Sequence, residues 1–357
     1  MRFITVDHIQ EGMVVGRPLR GRNGEILLTA GTVLRESYID TIRRLRYSGL
    51  YIQDRFSEGI DVEDIITEEL RNYAAKAVRR LELSASSGPE SIDTELEIFS
   101  RIIDDIVASV LSNKDTIINL VDLKIFDQYT YQHSVNVCVL SEIIGVAVGL
   151  DRAQLFNLGM SAVLHDVGKF FIDKAILNKP GRLSFEEFEL IKKHSEIGCE
   201  YLRKHFYYTS SISTGVLSHH ERFDGTGYPH GRRGFDIHVF ARIIAVADVY
   251  DAITSLRPYH EPVLPSEAYE YILGNSGMHF DPDVADAFIR KIAPFPEGVE
   301  VLLSNGLRGV VFKNNPHFMT RPLIKLMPIN GYVPKDEFAN LKDDPDMFSV
   351  TITKVFS

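Results

Sequence analysis

The stretch LHDVGK at residues 164–169 places a histidine and an aspartate side by side, with a lysine three positions further on. Imidazole and carboxylate groups together are donors that suit first-row transition metals, and a carboxylate can bridge two ions that share one water. In a chain of this composition, about one such pair is expected by chance. The pair therefore predicts a metal centre only if further donors accompany it.

Further donors of the same kind follow this pair: His194, His219, His220 and Asp248. The densest run is HHERFDGTGYP, at residues 219–229. Ten of the 12 histidines lie between His133 and His279, whereas the N-terminal third of the chain contains only His8. Histidines scattered over a core or a surface would not usually concentrate in this way. The sequence therefore predicts a protein built around a metal-activated water.

Several strings in this part of the chain resemble the HD-GYP family, in the same order and spacing: TYQHS at 130–134, HDVGK at 165–169, KHSEIG at 193–198, HHERFDGTGYP at 219–229 and ADVYDA at 247–252. The resemblance covers about residues 115–295, close to half of the chain. The family is a branch of the HD metallohydrolases that cleaves the bacterial messenger cyclic di-GMP. The resemblance implies an all-helical metallohydrolase domain that hydrolyses cyclic di-GMP to linear pGpG, with further hydrolysis to GMP left open.

The resemblance also implies the ligands of two divalent transition metal ions. One ion is expected on His133, His165, Asp166 and Asp248, and Asp166 bridges to a second ion held by His194, His219 and His220. Some family members hold a third ion through a glutamate one helical turn before the first histidine, but Tyr129 occupies that position here, which favours two ions. Donors without thiolate favour iron or manganese, with zinc or nickel as alternatives.

Asp166 and Lys169 are the expected catalytic residues, and Lys169 is the natural cation beside the substrate phosphate. Lys169 lies four residues after His165, so the two share a helix face if the helix continues that far. By the resemblance, Arg257 contacts the phosphate or guanine of the ligand. Tyr228 and Asp251 complete the predicted substrate-binding residues, although orienting an imidazole is the favoured role of Asp251.

The composition restricts the partners of the protein. The formal net charge of −10 argues against a surface that binds nucleic acid polymers or anionic membranes, which requires a basic face. The only cysteines, Cys138 and Cys199, fall inside helical patterns and are predicted to be buried free thiols. Without a signal peptide or a membrane span in the pattern, we expect a cytoplasmic protein.

Four parts are predicted along the chain. Residues 1–83 form a small α/β regulatory or sensory module, with short strands, a turn at residues 21–24 and one helix, and a connecting helix at residues 61–83. Residues 84–91 form a polar linker. Residues 92–298 form the helical catalytic domain, in which Asp151 with Gln154 and Ser184 with Glu187 indicate capped helix starts. Residues 299–357 form a short β-rich appendage that begins with a hairpin around Asn305 and Gly306. The predicted class is mainly α.

Two alternatives to cyclic di-GMP hydrolysis stay open at this point. The protein can be a sensor or scaffold that binds the nucleotide with weak turnover, or a phosphodiesterase of another cyclic dinucleotide. The resemblance further links the loop Gly227-Tyr228-Pro229 to diguanylate cyclase domains as partners. The apolar stripe in residues 92–111 is compatible with a homodimer or with core packing.

Overall fold

A computed structural model describes residues 1–21, 25–45, 47–62, 64–85, 92–114, 117, 129–205, 210–255, 262–328, 334 and 336–356. Three predicted features lie outside these described residues: Arg257, most of the turn at residues 21–24, and residues 86–91 of the linker.

Residues 1–53 form a small α/β module. Its elements are β1 (Arg2–Thr5), β2 (Val14–Val15), β3 (Leu19–Arg20), β4 (Ile26–Leu28), α1 (Glu36–Arg44) and β5 (Gly49–Gln53). Strand β5 is the centre of an antiparallel sheet of order β1-β5-β2, and β3 pairs with β4 in a separate ribbon. Ile39 and Ile42 of α1 pack into one apolar core with Ile4, Val15 and Ile52 of this sheet. The predicted order of short strands and one helix is confirmed.

The middle of the chain is helical, as predicted. Its helices are α2 (Glu68–Ala85), α3 (Ile92–Ser112), α4 (Tyr129–Val148), α5 (Arg152–Val163), α6 (Lys174–Leu177), α7 (Phe185–Lys192), α8 (His194–His205), α9 (Ser210–Ser218), α10 (Val239–Thr254), α11 (Pro265–Gly274) and α12 (Pro282–Ile289). Buried apolar residues from Ile66 to Ile292 form one continuous core, and α4 packs against α2, α5, α10 and α12 within it. No helix in the described ranges is both long and apolar enough to cross a bilayer.

The starts of two helices follow the predicted caps. At α5, the Asp151 carboxylate accepts a hydrogen bond from the Gln154 backbone N–H at 2.9 Å, and the Gln154 side chain accepts one from the Asp151 N–H at 3.0 Å. Ser184 and Glu187 form the same reciprocal pair at α7. These caps satisfy backbone donors that the first turn of a helix leaves unpaired. The helix predicted over residues 61–83 instead begins at Glu68, and it packs on α3 and α4.

The C-terminal part is a five-stranded antiparallel sheet. Its strands are β6 (Glu300–Leu303), β7 (Arg308–Lys313), β8 (Leu323–Met327), β9 (Phe338–Asn340) and β10 (Ile352–Phe356), in the order β10-β6-β7-β8-β9. The hairpin predicted around Asn305 and Gly306 joins β6 to β7. The short β9 was not predicted from the sequence, because three residues are too few to show an alternating pattern.

The two sheets at opposite ends of the chain pack against each other. The backbone N–H of Phe3 donates to the carbonyl of Gly298 at 2.9 Å, and Phe3 shares an apolar cluster with Val299 and Met327. The buried guanidinium of Arg2 pairs with Asp54 at 2.8 Å and with Glu300 at 2.9 Å. The C-terminal sheet is therefore packed on the N-terminal module rather than standing apart from it.

Candidate metal centre

Segments that are distant in sequence bring the predicted donors together. His133 lies in α4 and Asp248 in α10, while His165 and Asp166 follow the end of α5. His194 is the first residue of α8, and His219 and His220 directly follow α9, which ends at Ser218. Donor atoms within 4.8 Å of one another form two groups: His133, His165 and Asp248, and Asp166, His194, His219 and His220. We name them the His133 group and the His194 group.

Asp166 and His165 join the two groups. The Asp166 carboxylate lies 3.5 Å from His194 Nε2, 3.4 Å from His165 Nε2 and 3.9 Å from His133 Nε2. The ring centroid of His165 lies 5.2 Å from that of His133 and 5.1 Å from that of His219. One carboxylate therefore contacts donors of both groups, which is the arrangement that a bridging ligand requires.

The backbone turns sharply at the His-Asp pair. Helix α5 ends at Val163, and a short 3₁₀ helix occupies Val167–Phe171, so the single helix face expected for His165 and Lys169 does not exist. This expectation was wrong because the chain leaves helical geometry between them, and Lys169 instead pairs with Asp166, its Nζ 2.6 Å from the carboxylate. At Gly168 the 3₁₀ helix approaches α8 so closely that an added Cβ would lie 1.9 Å from the His194 carbonyl oxygen.

Three imidazoles are oriented by backbone carbonyls that lie three residues earlier in the chain. The Nδ1 of His165 lies 2.7 Å from the carbonyl of Ala162, that of His194 lies 2.7 Å from Ile191, and that of His219 lies 2.6 Å from Val216. A carbonyl only accepts, so each Nδ1 carries the proton and donates it. In the neutral ring, each Nε2 is therefore unprotonated and its lone pair faces the centre. This is the form of histidine that binds a metal ion.

His133 is oriented by a carboxylate instead. Its Nδ1 lies 2.7 Å from Asp251 Oδ2, and its Nε2 lies 3.2 Å from Asp248 Oδ1. Burial alone would lower the pKa of His133, but the bonds to Asp248 and Asp251 outweigh it and raise that pKa to about 9 in the metal-free protein. Asp251 is 1% exposed and also accepts hydrogen bonds from Asn136 and Ser255. This geometry contradicts a substrate contact for Asp251 and suits the orientation of His133.

Burial keeps the imidazoles of the His194 group neutral. It lowers the pKa of His194 to about 4, that of His220 to about 3, and that of His219 well below its ordinary value. Burial opposes ionisation of Asp166, but the ammonium of Lys169 outweighs it and holds the Asp166 pKa well below its usual range. Asp166 and the three imidazoles of the His194 group are thus in the protonation states in which they bind cations.

The residues present fit a pair of divalent cations. All seven donors are imidazoles or carboxylates, the set that suits first-row divalent metals. The buried atoms His165 Nε2 and Asp166 Oδ1 have no hydrogen-bond partner within the described part of the chain. The Nε2 atoms of His194 and His219 lie only 3.2 Å apart, and both carry lone pairs. Buried polar atoms without partners are unfavourable, and a cation bound among them would remove that penalty.

The loop that follows His219 and His220 borders the metal-type donors. The Tyr228 ring stacks on the His220 ring with 4.7 Å between centroids, and Lys192 Nζ lies 5.5 Å from the Tyr228 centroid. The Glu221 carboxylate accepts hydrogen bonds from the backbone N–H groups of His230, at 2.8 Å, and Arg232, at 3.0 Å. Glu221 therefore holds both ends of the loop together. This role of Glu221 was not predicted from the sequence, although Glu221 directly follows the two histidines.

The segment that contains these donors is similar to known proteins. Residues 114–284 match the family model of the HD domain. A cyclic di-GMP phosphodiesterase of Pseudomonas aeruginosa is 39% identical over 227 residues, which is 64% of this chain and 55% of that protein. A cyclic di-GMP phosphodiesterase of Thermotoga maritima is 38% identical over 165 residues, 46% of this chain and 45% of that protein.

A further relative has a different substrate in its name. A 3′3′-cGAMP-specific phosphodiesterase of Vibrio cholerae is 31% identical over 180 residues, 50% of this chain and 34% of that protein. The chain spans 55% or less of the length of each of these relatives. Residues 114–284 therefore belong to the HD domain family, and the cyclic di-GMP phosphodiesterases among the relatives support its HD-GYP branch.

Proposed function

We propose that this protein is a phosphodiesterase that hydrolyses cyclic di-GMP to linear pGpG. The observation that supports it best is the carboxylate of Asp166 between two groups of metal-type donors, 3.4 Å from His165 Nε2 and 3.5 Å from His194 Nε2. The names of the relatives from Pseudomonas aeruginosa and Thermotoga maritima support the same substrate. Further hydrolysis to GMP is a matter for the product assay.

When bound, two divalent cations would supply an activated water and neutralise charge on the phosphodiester oxygens. We assign His133, His165 and Asp248 to one cation and His194, His219 and His220 to the other, with Asp166 shared. The donor set leads us to propose iron or manganese. Mixed imidazole and carboxylate ligation without a thiolate supports this choice.

The protein's own cations would position the substrate. The ammonium of Lys169 lies 2.6 Å from Asp166, and its side chain is 31% exposed, so it can reach a phosphate oxygen from the edge of the centre. We propose that Lys169 holds that oxygen, and that Arg257 makes a planar, bidentate contact to a phosphate or a guanine. Tyr228, stacked on His220, would form a wall of the same site.

A second candidate is the phosphodiesterase of another cyclic dinucleotide. The 31% identity to a 3′3′-cGAMP-specific enzyme favours this alternative over an unrelated substrate. Both reactions use the same metal centre and differ in the base that the enzyme recognises. A weak nucleotide-binding sensor is the third candidate.

A product assay separates these candidates. The metal-reconstituted protein is incubated with cyclic di-GMP and with 3′3′-cGAMP at equal concentrations, with Asp166→Asn as the matched inactive control. We expect faster conversion of cyclic di-GMP to pGpG by the natural protein and no conversion by the variant. Faster cleavage of 3′3′-cGAMP would support the second candidate. Tight binding of cyclic di-GMP without any product would support the sensor.

Partners and location follow from the same proposal. We propose that the protein acts in the cytoplasm, where cyclic di-GMP is its ligand, and that nucleic acid polymers and membranes are not its partners. The loop at residues 227–229 is the proposed contact for diguanylate cyclase domains. A homodimer is a further proposal, and sedimentation analysis of the purified protein tests it.

A further inference from the structure

A path of hydrogen bonds leads from helix α2 to the metal-type donor His133. Arg71 Nη1 donates to Asn136 Oδ1 at 2.9 Å, and Asn136 Nδ2 donates to Asp251 Oδ1 at 2.9 Å. The other oxygen of Asp251 lies 2.7 Å from His133 Nδ1. Arg71 thus reaches the centre through two intermediate side chains, although it is separated from Asn136 by 65 positions in the sequence.

Each bond in this path has only one permitted direction. A guanidinium only donates and an ionised carboxylate only accepts, so the amide oxygen of Asn136 must face Arg71 and its amide nitrogen must face Asp251. If the amide turned over, its N–H₂ group would face the guanidinium and its oxygen would face the carboxylate. Arg71 therefore selects one orientation of Asn136, which in turn selects the position of Asp251.

The end of the path determines which nitrogen of His133 is free. Asp251 accepts the proton on Nδ1, so Nε2 faces Asp248 at 3.2 Å and remains the donor atom for a cation. Asn136 and Asp251 are 2% and 1% exposed, so water does not replace either partner easily. Partners behind a ligand imidazole typically change metal affinity about 10- to 100-fold when they are removed.

Arg71 itself lies at the junction with the N-terminal module. It lines a cavity of about 70 Å³ between that module and helices α2 and α4, together with Arg17, Arg20, Tyr51, Asn72 and Gln132. One turn earlier in α2, Glu68 and Glu69 pair with Arg20 of β3 at 2.8 and 2.9 Å. The module therefore contacts the same turn of α2 that presents Arg71 to Asn136.

We propose that Arg71 is a positioning residue for His133, acting through Asn136 and Asp251, and that it raises the affinity of the His133 group for its cation. This inference rests on the proposed metal site. It states that Arg71, outside the segment that matches the HD domain, affects the metal affinity of that site. Arg71 touches neither the cation nor the substrate. We expect its effect on one of the two cations, because the path ends on His133, which we assign to that cation alone.

The test is a calorimetric titration of the metal-free protein, residues 1–357, with Mn²⁺. In Arg71→Met we expect one of two Mn²⁺ ions to bind about 10-fold more weakly and the other to bind unchanged. Asn136→Leu should have the same effect, and the double variant should lose no more than the larger single loss, because both changes break one path. Arg71→Lys keeps a donor and a charge, so it should recover part of the affinity.

Asn72→Ala is the matched control, because Asn72 is the next residue of α2 and lines the same cavity. It should bind both ions as the natural protein does. Thermal unfolding of each metal-free variant reports on the fold, and Arg71→Lys carries the test if Arg71→Met does not fold.

Three results would overturn the inference. They are unchanged Mn²⁺ binding in Arg71→Met, equal weakening of both ions, and losses that add in the double variant with Asn136→Leu. A natural protein that binds no Mn²⁺ at all would instead overturn the proposed metal site, so the two failures are distinguishable.

Discussion

The two donor groups of the centre differ in how their imidazoles are held, although His165 of the His133 group is held by a local carbonyl as in the His194 group. In the His194 group, His194 and His219 each donate Nδ1–H to a carbonyl three residues earlier in the chain, at 2.7 and 2.6 Å. In the His133 group, His133 is bonded to Asp251, which is 118 positions away. Local backbone orients one group, whereas tertiary contacts orient the key imidazole of the other. The centre therefore combines two kinds of site. Local carbonyls orient imidazoles of the His194 group, whereas the orientation of His133 depends on contacts with distant parts of the fold.

Removing the shared carboxylate should have the largest effect, because it breaks both groups together. We expect Asp166→Ala to lower the rate of phosphodiester hydrolysis by about 10³-fold or more, since the ions would lose their common ligand. Steady-state kinetics with cyclic di-GMP and metal analysis of the purified variant measure this. Retention of both ions and of more than a tenth of the rate would show that Asp166 does not join the groups.

Replacing Gly168 should damage the His194 group through the backbone. In Gly168→Ala the new Cβ would meet the His194 carbonyl oxygen at 1.9 Å and the Gly198 nitrogen at 2.7 Å, so α8 must move. We expect the free energy of unfolding to fall by about 3 kcal/mol, at the upper end of overpacking effects.

Gly274→Ala provides the matched control for denaturant unfolding. No atom lies within 4 Å of its added Cβ in the described structure, and Gly274 ends helix α11, so this variant should be as stable as the natural protein or slightly more stable. Equal stability of Gly168→Ala and Gly274→Ala would contradict the close approach of the 3₁₀ helix to α8.

The protonation states of the metal-free protein should separate the two groups directly. His133, between two carboxylates, has a pKa raised to about 9, whereas burial lowers those of His194 and His220 to about 4 and 3. At pH 7, His133 should therefore be protonated and the other two neutral. Asp251→Asn should lower the pKa of His133 by about one unit or more, because a charged partner becomes neutral. Nitrogen chemical shifts of labelled histidines across pH 5–10 measure this, and a neutral His133 at pH 7 would remove the contrast.

A buried carboxyl without a cation sharpens the comparison with Asp166. Glu142 of α4 is fully buried, and burial raises its pKa well above the ordinary value, although a backbone hydrogen bond from Gly159 opposes this shift. A raised folded-state pKa contributes stability that is complete below the unfolded pKa and is lost as the pH rises towards the folded pKa. Relative to the natural protein, Glu142→Gln should therefore gain about 1.4 kcal/mol of stability per pH unit between the unfolded and the folded pKa of Glu142.

Urea unfolding at pH 5, 6, 7 and 8 checks this prediction. Glu97→Gln, an exposed position on α3, serves as control and should show no pH-dependent difference. A Glu142→Gln difference that does not change with pH would mean that Glu142 is ionised in the folded protein.

The donors of the centre were predictable because each lies in a short string whose residue types carry the chemistry. For orientation, His194 and His219 also need only a carbonyl three residues earlier in the chain. Asp251 was expected to orient an imidazole, but the rest of the path was not predictable. Arg71 and Asn136 are unremarkable in their local sequence, and the contacts join three helices. The end of α5 at Val163 was missed because the residues after it, up to Lys169, continue a helix-compatible spacing.

The packing of the two terminal sheets against each other could not be predicted from the sequence for a similar reason. Strand patterns predicted each sheet, but the contact of Arg2 with Glu300 joins positions 298 apart. A local pattern records which face of a strand is apolar and does not record which surface covers that face.

Anomalous diffraction from crystals grown with Mn²⁺ tests the central claim most directly. For the proposed two-cation site, we expect two peaks about 3.5–4 Å apart, with the Asp166 carboxylate contacting both. One peak would belong to His133, His165 and Asp248, and the other to His194, His219 and His220. A single peak at saturating Mn²⁺, or two peaks without a shared Asp166 contact, would contradict it.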